Sequence, residues 1–134
     1  MNSLENKLIE LISKFDKNVI VIYLFGSQAN GSATSQSDID IAIFSKTKYS
    51  NETLFELKQT LELSLIKDVD VVDLKESDSI IGIRIIEEGK LILDTENYAA
   101  YLENKITNEY QDLQSDPFRK EQISDLKKRL NKNG

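Results

Sequence analysis

The segment FGSQANGSATSQSDIDIAIF, residues 25–44, constrains the possible fold more than any other part of the chain. It joins a continuous apolar run, Val19–Phe25, to an isoleucine-rich run that opens with Asp38 and Asp40. An apolar run of this length, followed by glycine and serine, predicts a strand that is covered on both faces. Residues two apart on a strand project from the same face. The two carboxylates are therefore expected to lie together, while the alternate isoleucines enter the core.

The acid pair predicts a binding site for a divalent cation. Two carboxylates held close together beside an apolar sheet repel each other and lose hydration. A hard cation removes both penalties, and Mg2+ suits such a site because it combines one or two carboxylates with water and substrate phosphate. The alternative is that Asp38 is solvated at the strand entrance and only follows a turn at Ser37.

The Gly26-Ser27 dipeptide, separated from the acid pair by ten residues, predicts a phosphate-binding turn. Gly26 would let the backbone approach a phosphate closely, and the residues that follow can form a short helix whose first N–H groups attract anions. A glycine–serine pair by itself is an ordinary turn. Its position one strand away from Asp38 and Asp40 favours the phosphate site.

A third acidic group lies within the valine-rich segment KDVDVVDL. Asp68 and Asp70 are expected to share one face of a strand, and Asp73 to take the other. If this strand pairs with the one that carries Asp38 and Asp40, Asp70 would join them, and three acids would hold two cations for in-line phosphoryl displacement. The alternative is an edge strand whose acids are solvated.

The rest of the chain alternates between helical and strand periodicity. Helices are predicted at the N-terminus, after a cap at Ser50 or Asn51, from about Ser77, and from Thr95. Gly89 is expected to end the third of these helices in the left-handed conformation. The predicted strands are 19–25, 38–44, 69–74 and 90–93. This order predicts an α/β (α+β) fold, a mixed sheet with packed helices and a helical C-terminal extension.

We divide the chain into a core, residues 1–94, and the helical extension, residues 95–134, within one compact domain. After Asp116-Pro117, a last segment is predicted to carry apolar residues on one helical stripe, namely Ile123, Leu126 and Leu130. Residues 118–134 hold six Lys or Arg and two acids, a net +4, so the remainder of the −6 chain carries about −10. The basic segment is either a solvated helix face or a docking surface for an acidic partner.

The composition excludes several classes of chemistry. With no histidine and no cysteine, this chain offers no imidazole ligand, no Ser-His-Asp triad and no thiolate. The lack of cysteine favours an intracellular location, and the N-terminal residues lack the pattern of a signal peptide. An acidic body binds nucleic acid poorly, and no apolar run approaches the ~20 residues of a membrane helix. We therefore expect a cytoplasmic protein that contacts neither nucleic acid nor membranes directly.

Gly26-Ser27 and Asp38-Ile39-Asp40, with their ten-residue spacing, resemble the signature of the polymerase-β-like nucleotidyltransferases. The whole segment 25–44 is similar to that of the minimal nucleotidyltransferase branch. The sequence VDVVDL resembles the strand that carries the third carboxylate of this branch, with Asp70 at the matching position. The likeness covers roughly residues 3–112. The size and the helical extension are similar to those of MntA-type antitoxins of HEPN/MNT toxin–antitoxin pairs.

The resemblance implies a polymerase-β-like fold and a specific reaction. The protein would transfer AMP from ATP, with Mg2+, to a tyrosine of a HEPN-family (HepT-like) toxin, an RNase that is silenced within a heteromeric complex. Asp38, Asp40 and Asp70 would be both the catalytic and the metal-binding residues, and Asp70 would also activate the tyrosine. The residues that would bind the nucleotide are Gly26, Ser27 and Ser37.

This chain departs from many members of the family at Asn30. Many members have an arginine where this chain has Asn30, and its loss is expected to weaken contact with phosphates or the partner. Arg84 is a candidate for a compensating charge.

One alternative function is an antitoxin that inhibits its toxin by contact alone. The other is a nucleotidyltransferase for a small molecule such as an aminoglycoside. Such enzymes generally have a larger acceptor domain, whereas only about forty residues follow the fourth strand here.

Overall fold

The computed structural model of the protein describes residues 3–31, 33–34 and 37–115, together with Asp125 and Lys128. The predicted cap at Asp116-Pro117 and the stripe of Ile123, Leu126 and Leu130 lie outside the described residues. The elements in chain order are α1 Ser3–Phe15, β1 Val19–Phe25, α2 Ser27–Asn30, β2 Ile39–Ser45, α3 Asn51–Leu65, β3 Val69–Asp73, α4 Ser79–Glu88, β4 Lys90–Asp94 and α5 Ala99–Gln114. Within this described part, every helix is too short or too polar to cross a membrane.

The four strands form one mixed sheet in the order β3-β2-β1-β4. β1 is antiparallel to both of its neighbours, whereas β2 and β3 are parallel. The predicted mixed sheet is confirmed, and each predicted strand end lies within one residue of the observed end. β3 lies at an edge of the sheet, so its side chains have a strand on one side only.

Helices cover both faces of the sheet. On one face, α1 and α3 pack over a buried aliphatic cluster that contains the predicted core residues Ile39, Ile41 and Ile43. On the other face, α4 and α5 pack over Tyr23 and Ala42. The period of two along β2 explains the division, because its odd-numbered residues enter the first cluster. Asp40 is even-numbered, so its carboxylate lies at the end of the second face.

The first residues of α3 and α4 are fixed by side-chain caps. Ser50, rather than Asn51, caps α3, because its hydroxyl accepts a hydrogen bond from the N–H of Thr53 at 3.1 Å. α4 begins at Ser79, later than expected, because the carboxylate of Asp78 caps it and accepts from Ile81 N at 3.0 Å. In both cases a short polar side chain satisfies an N–H group that has no partner within the helix.

The prediction of a left-handed Gly89 is wrong. Its backbone is extended, with φ −83° and ψ 167°. Glycine is needed there for a different reason, since a Cβ atom would lie 2.4 Å from the carbonyl oxygen of Ile85. The N–H of Gly89 also donates to that oxygen, at 2.7 Å. The residue therefore allows the chain to pass from α4 into β4 without a gap.

The prediction that α5 begins at Thr95 is also wrong, because the helix begins at Ala99. The carboxylate of Asp94 accepts hydrogen bonds from Tyr98 N at 2.8 Å and Ala99 N at 3.2 Å. Asn97 adopts a left-handed backbone conformation, with φ 52°. Asp94 thus caps the helix from the end of β4, and the intervening residues form a turn.

Asp16, just after α1, links three segments at the end of the sheet that is opposite to Asp40. Its carboxylate accepts hydrogen bonds from Ser45 Oγ at 2.6 Å, from Thr47 Oγ1 at 3.2 Å and from the hydroxyl of Tyr49. Partial burial tends to raise the pKa of Asp16, but the hydrogen bonds outweigh burial and hold the pKa below its ordinary value. The charged form of Asp16 therefore stabilises this end of the fold.

Candidate active site

Three acidic side chains come from the N-terminal ends of two parallel strands. Asp40 and Asp70 occupy matching positions on β2 and β3. Their carboxylates lie within hydrogen-bonding reach of each other. Asp38, directly before β2, is exposed and acts on Asp40 through its charge. The predicted pairing of the two strands is confirmed, and it brings Asp70 to Asp40.

The electrostatics of the site are dominated by Asp40. Burial raises the pKa of its carboxyl above the ordinary value, and the negative charge of Asp70 raises it further. Protonated Asp40 can donate a hydrogen bond to Asp70, and this bond and the charge of Asp38 also raise the pKa of Asp40, whereas the charge of Arg84 lowers it. Carboxylates that repel one another in a partly desolvated position favour the binding of a proton or a cation.

Gly26, at the end of β1, is shaped to fit the acid pair. Its φ of +70° lies in the left-handed region, which glycine adopts without strain. A Cβ atom at this position would lie 2.4 Å from Asp40 Oδ2. Glycine is therefore required both by the turn and by the carboxylate that lies against it. The sequence pattern predicts only phosphate binding for Gly26 and does not reveal this contact with Asp40.

Ser27 and Ser37 lie at the two ends of the connection between β1 and β2. Ser27 begins α2, the short helix predicted after Gly26. The hydroxyl of Ser37 accepts a hydrogen bond from Thr34 N at 2.8 Å, and Ser37 N donates to the carbonyl of Thr34 at 3.1 Å. Ser37 thus holds a turn directly before Asp38. Contact of Ser27 or Ser37 with a nucleotide stays a prediction.

Lys58 and Glu62 of α3 hold the start of β3, although neither is among the predicted site residues. Lys58 Nζ donates to the carbonyl of Val69 at 2.8 Å, and Glu62 Oε2 accepts from Val69 N at 3.1 Å. The two side chains are themselves paired at 3.3 Å. Lys58 Nζ also lies 3.9 Å from Asp70 Oδ1. The pair therefore satisfies both backbone groups of the residue before Asp70 and places a cation beside that carboxylate.

Arg84 provides positive charge on the α4 side of the site. Its Nε donates to Glu88 Oε2 at 2.9 Å, one helical turn away. Its charge acts on Asp40 and lowers the pKa of that carboxyl, in opposition to the neighbouring acids. Its role as a substitute for the arginine missing at Asn30 stays a prediction.

Asp68 and Asp73 do not take the position of Asp70. Asp68 is exposed before β3, where its carbonyl accepts from Ile39 N at 2.9 Å. Asp73 is buried at the other end of β3, and burial raises the pKa of its carboxyl. Its Oδ1 accepts from Lys75 N at 3.1 Å, while Oδ2 has no hydrogen-bond partner in the described part of the chain. Asp70 is thus the acid of this strand that faces Asp40.

The donor set of the site suits a hard cation. Mg2+ takes carboxylate oxygens from proteins, usually from one or two side chains. Asp40 and Asp70 supply such a pair, and the raised pKa of Asp40 indicates that protein groups only partly relieve the repulsion. Among the described side chains, no three acids form a closed cluster of metal ligands. The convergence of all three acids on cations therefore stays a prediction.

Known proteins are similar to this chain over most of its length. The profile of the family described as polymerase beta, nucleotidyltransferase, matches residues 6–98, which include Gly26 and all three acids. The chain belongs to this nucleotidyltransferase family. It is also 34% identical over 112 residues to the protein adenylyltransferase MntA of Shewanella oneidensis, over 84% of this chain and 81% of MntA. The family predicted from the sequence signature is confirmed.

Three solved structures of toxin–antitoxin complexes are similar to this chain. A toxin–antitoxin with AMP-PNP matches at a TM-score of 0.82 and 34% identity, over 91% of this chain and 97% of the other. An MntA toxin–antitoxin mutant, with two Asp-to-Glu substitutions two residues apart, matches at a TM-score of 0.80 and 31% identity. The match covers 94% of this chain and 98% of the other. The structure of the tri-AMPylated HEPN toxin of Shewanella oneidensis in complex with MNT antitoxin matches at a TM-score of 0.75 and 33% identity. The match covers 91% of this chain and 94% of the other. The nucleotidyltransferases in this chain's family thus include ones that work on partner proteins.

Proposed function

We propose that this protein is an antitoxin that transfers AMP from ATP to a tyrosine of a HEPN-family RNase toxin and so inactivates it. The observation that carries the proposal is the matching position of Asp40 and Asp70 beside Gly26. Further support comes from the 34% identity to an adenylyltransferase. Similar complexes hold an ATP analogue or an AMPylated HEPN toxin, or carry substitutions at two acids spaced like Asp38 and Asp40.

Each site residue has a defined role in this proposal. Asp38, Asp40 and Asp70 would hold Mg2+, which when bound neutralises charge on the triphosphate and on the leaving group. Gly26 and Ser27 would contact the phosphates through their backbone N–H groups. Ser37, at the other end of the connection between β1 and β2, would also contact the nucleotide. Because Gly26 has no side chain, its backbone approaches the carboxylate of Asp40 closely.

The transfer forms a bond between the tyrosine oxygen and the α-phosphorus of ATP. It breaks the bond from that phosphorus to the oxygen that bridges to the β-phosphate, and pyrophosphate leaves. The pKa of free tyrosine is about 10, so a base must take the phenolic proton at neutral pH. We assign this step to Asp70, whose side chain is 71% exposed on an edge strand and is thus accessible to a side chain of another protein.

The proposal also assigns the parts of the chain. Residues 1–94 would form the catalytic core and residues 95–134 a helical extension of the same domain. The packing of α5 on α4 supports this assignment, since Leu102, Ile106 and Tyr110 join the core cluster beneath both helices. The protein would act in the cytoplasm, in a heteromeric complex with the toxin and without direct contact with nucleic acid.

The test is the intact mass of the HEPN protein encoded beside this gene, after incubation with this protein, ATP and Mg2+. We expect gains in whole AMP units with the wild type and none with the double variant Asp38→Ala and Asp40→Ala. A parallel sample with EDTA tests the metal requirement. Transfer that continues at the full rate in EDTA would contradict the assignment of Mg2+.

The same experiment distinguishes the two other functions. If the HEPN protein keeps its mass while a stable complex still blocks its RNase activity, the protein is an inhibitor that acts by contact. If no complex forms and an aminoglycoside gains AMP instead, the protein modifies small molecules. Either result would overturn the proposed protein modification.

A further inference from the structure

The outward face of α3 carries an unusual row of exposed apolar side chains. Phe55, Leu63 and Ile66 are 56%, 83% and 88% exposed. The spacings of eight and three residues place them on one side of the helix and of its C-cap, away from the buried Leu57 and Leu61. We call Phe55, Leu63 and Ile66 the α3 stripe. Large apolar side chains with this exposure stabilise the isolated fold very little.

Ile66 also adopts a backbone conformation that isoleucine disfavours. It forms the C-cap of α3 in the left-handed region, with φ 54° and ψ 47°, and its N–H donates to the carbonyl of Glu62 at 2.8 Å. Glycine or asparagine normally takes such a position, because a β-branched side chain is strained there. A residue that is strained, apolar and exposed at once is poorly explained by folding and indicates a function at the surface.

The C-terminal end of the α3 stripe is close in sequence to the third acid. Ile66 precedes Asp70 by four residues, which fixes their Cα atoms no more than about 14 Å apart. From the same helix, Lys58 Nζ comes within 3.9 Å of Asp70 Oδ1. A specific protein interface covers about 800 Å2 on each partner, a disc of about 16 Å radius. A protein that presents a tyrosine to Asp70 would therefore cover the end of α3.

The charge around the stripe specifies the kind of partner. Residues 51–70 carry five acidic and two basic side chains. An RNase must bind a polyanion, so its surface is expected to be basic around the RNA site. An apolar patch bordered by basic residues on such a protein would complement an apolar stripe bordered by acids.

We infer that the α3 stripe is the docking surface for the acceptor protein, and that it receives an apolar patch of the HEPN toxin while the acceptor tyrosine reaches Asp70. This inference rests on the proposed function and adds the surface that recognises the partner. Phe55 and Leu63 bind along the helix, and Ile66 binds nearest to the acid.

The test uses the full chain with the substitutions Leu63→Gln and Ile66→Asn. Glutamine preserves helix propensity and asparagine tolerates the left-handed cap, so the variant keeps its fold and its Tm rises by about 3–5 °C. We expect the Kd for the HEPN protein to rise at least tenfold, which is about 1.4 kcal/mol. AMP transfer at subsaturating toxin falls to the same extent, while the Kd for AMP-PNP with Mg2+ is unchanged.

Leu91→Thr is the matched control, because Leu91 is an exposed aliphatic residue on β4, at the opposite edge of the sheet. It should leave the toxin Kd unchanged. An unchanged toxin Kd in the α3 variant would overturn the inference, as would an equal loss in Leu91→Thr. Sedimentation that shows a wild-type dimer dissociated by the α3 substitutions would also overturn it, in favour of a second copy of this chain. A wild type that neither binds nor modifies the toxin would overturn the proposed function itself.

Discussion

Gly26 and Asp40 are packed so closely that the turn after β1 and the acid on β2 form one structural unit. The carboxylate of Asp40 fills the space that a side chain on Gly26 would need. The turn at Gly26 and the position of Asp40 therefore cannot vary independently. This contact leads to the first prediction.

Gly26→Ala should destroy catalysis while the protein remains folded. The left-handed backbone destabilises the variant by about 1–2 kcal/mol, and the displaced Asp40 lowers AMP transfer by about a hundredfold. Gly31→Ala is the control, since Gly31 is also left-handed, with φ +78°, but has open space where a Cβ would be. It should lose similar stability and keep its activity. Equal activity in both variants, measured as AMP transfer beside urea unfolding, would refute the coupling.

Asp40→Asn should increase stability and abolish transfer. Because the folded-state pKa of Asp40 is raised, its ionised form disfavours folding, and this penalty grows as the pH rises through the unfolded pKa towards the folded one. Without divalent cations, the variant should therefore have a higher Tm than the wild type at pH 7, and the difference should vanish at low pH. Mg2+ should also narrow it, by stabilising the wild type. A lower Tm for the variant at pH 7 would contradict this electrostatic account.

Lys58→Met should slow catalysis more than it weakens the fold. The variant loses the hydrogen bond to Val69 and the cation beside Asp70, so we expect about tenfold lower kcat and about 1 kcal/mol less stability. The KM for ATP should change little. Lys46→Met is the control, because Lys46 pairs with Glu96 at 2.8 Å on an exposed surface away from the site. An equal fall in kcat for both variants would show that Lys58 does not position Asp70.

Asp16→Asn should destabilise the fold at neutral pH but not in acid. The folded pKa of Asp16 is depressed, so its stabilisation is present above the unfolded pKa and is lost as the pH falls through the folded pKa. Loss of the charged hydrogen bonds at this partly exposed site should lower the free energy of unfolding by about 1–2 kcal/mol at pH 7. Urea unfolding of both proteins at pH 7 and pH 3 tests this prediction. If the difference in free energy of unfolding between wild type and variant is the same at both pH values, the prediction is wrong.

The sequence predicted those parts of the protein that depend on periodicity. The isoleucines of β2 alternate with Asp38, Asp40 and Ala42, and this pattern fixes which residues enter the core. The valines around Asp70 likewise indicated a strand. The acids on this strand and at Asp38 and Asp40 indicated that the two strands are neighbours. These features are local, or follow from the requirement that carboxylates share a cation.

Contacts between distant elements were not predictable in the same way. Lys58 and Glu62 have the four-residue spacing of an ordinary helical ion pair. Only the position of α3 against β3 shows that both side chains form hydrogen bonds with the backbone of Val69. The capping of α5 by Asp94 likewise depends on how the turn after β4 folds back. In both cases the deciding hydrogen bond joins a side chain to backbone whose direction the sequence does not specify.

The edge position of β3 separates the two substrates of the proposed reaction. The residues proposed to hold the nucleotide, Gly26, Asp38 and Asp40, come from β1 and β2 in the interior of the sheet order, whereas Asp70 and the end of α3 lie at its edge. If the proposed docking surface is correct, substitutions in the α3 stripe can change which protein is recognised without altering Gly26 or the three acids. A lineage of such enzymes can therefore follow a diverging toxin, or acquire a new one, by drift on one helix while the chemistry is inherited intact.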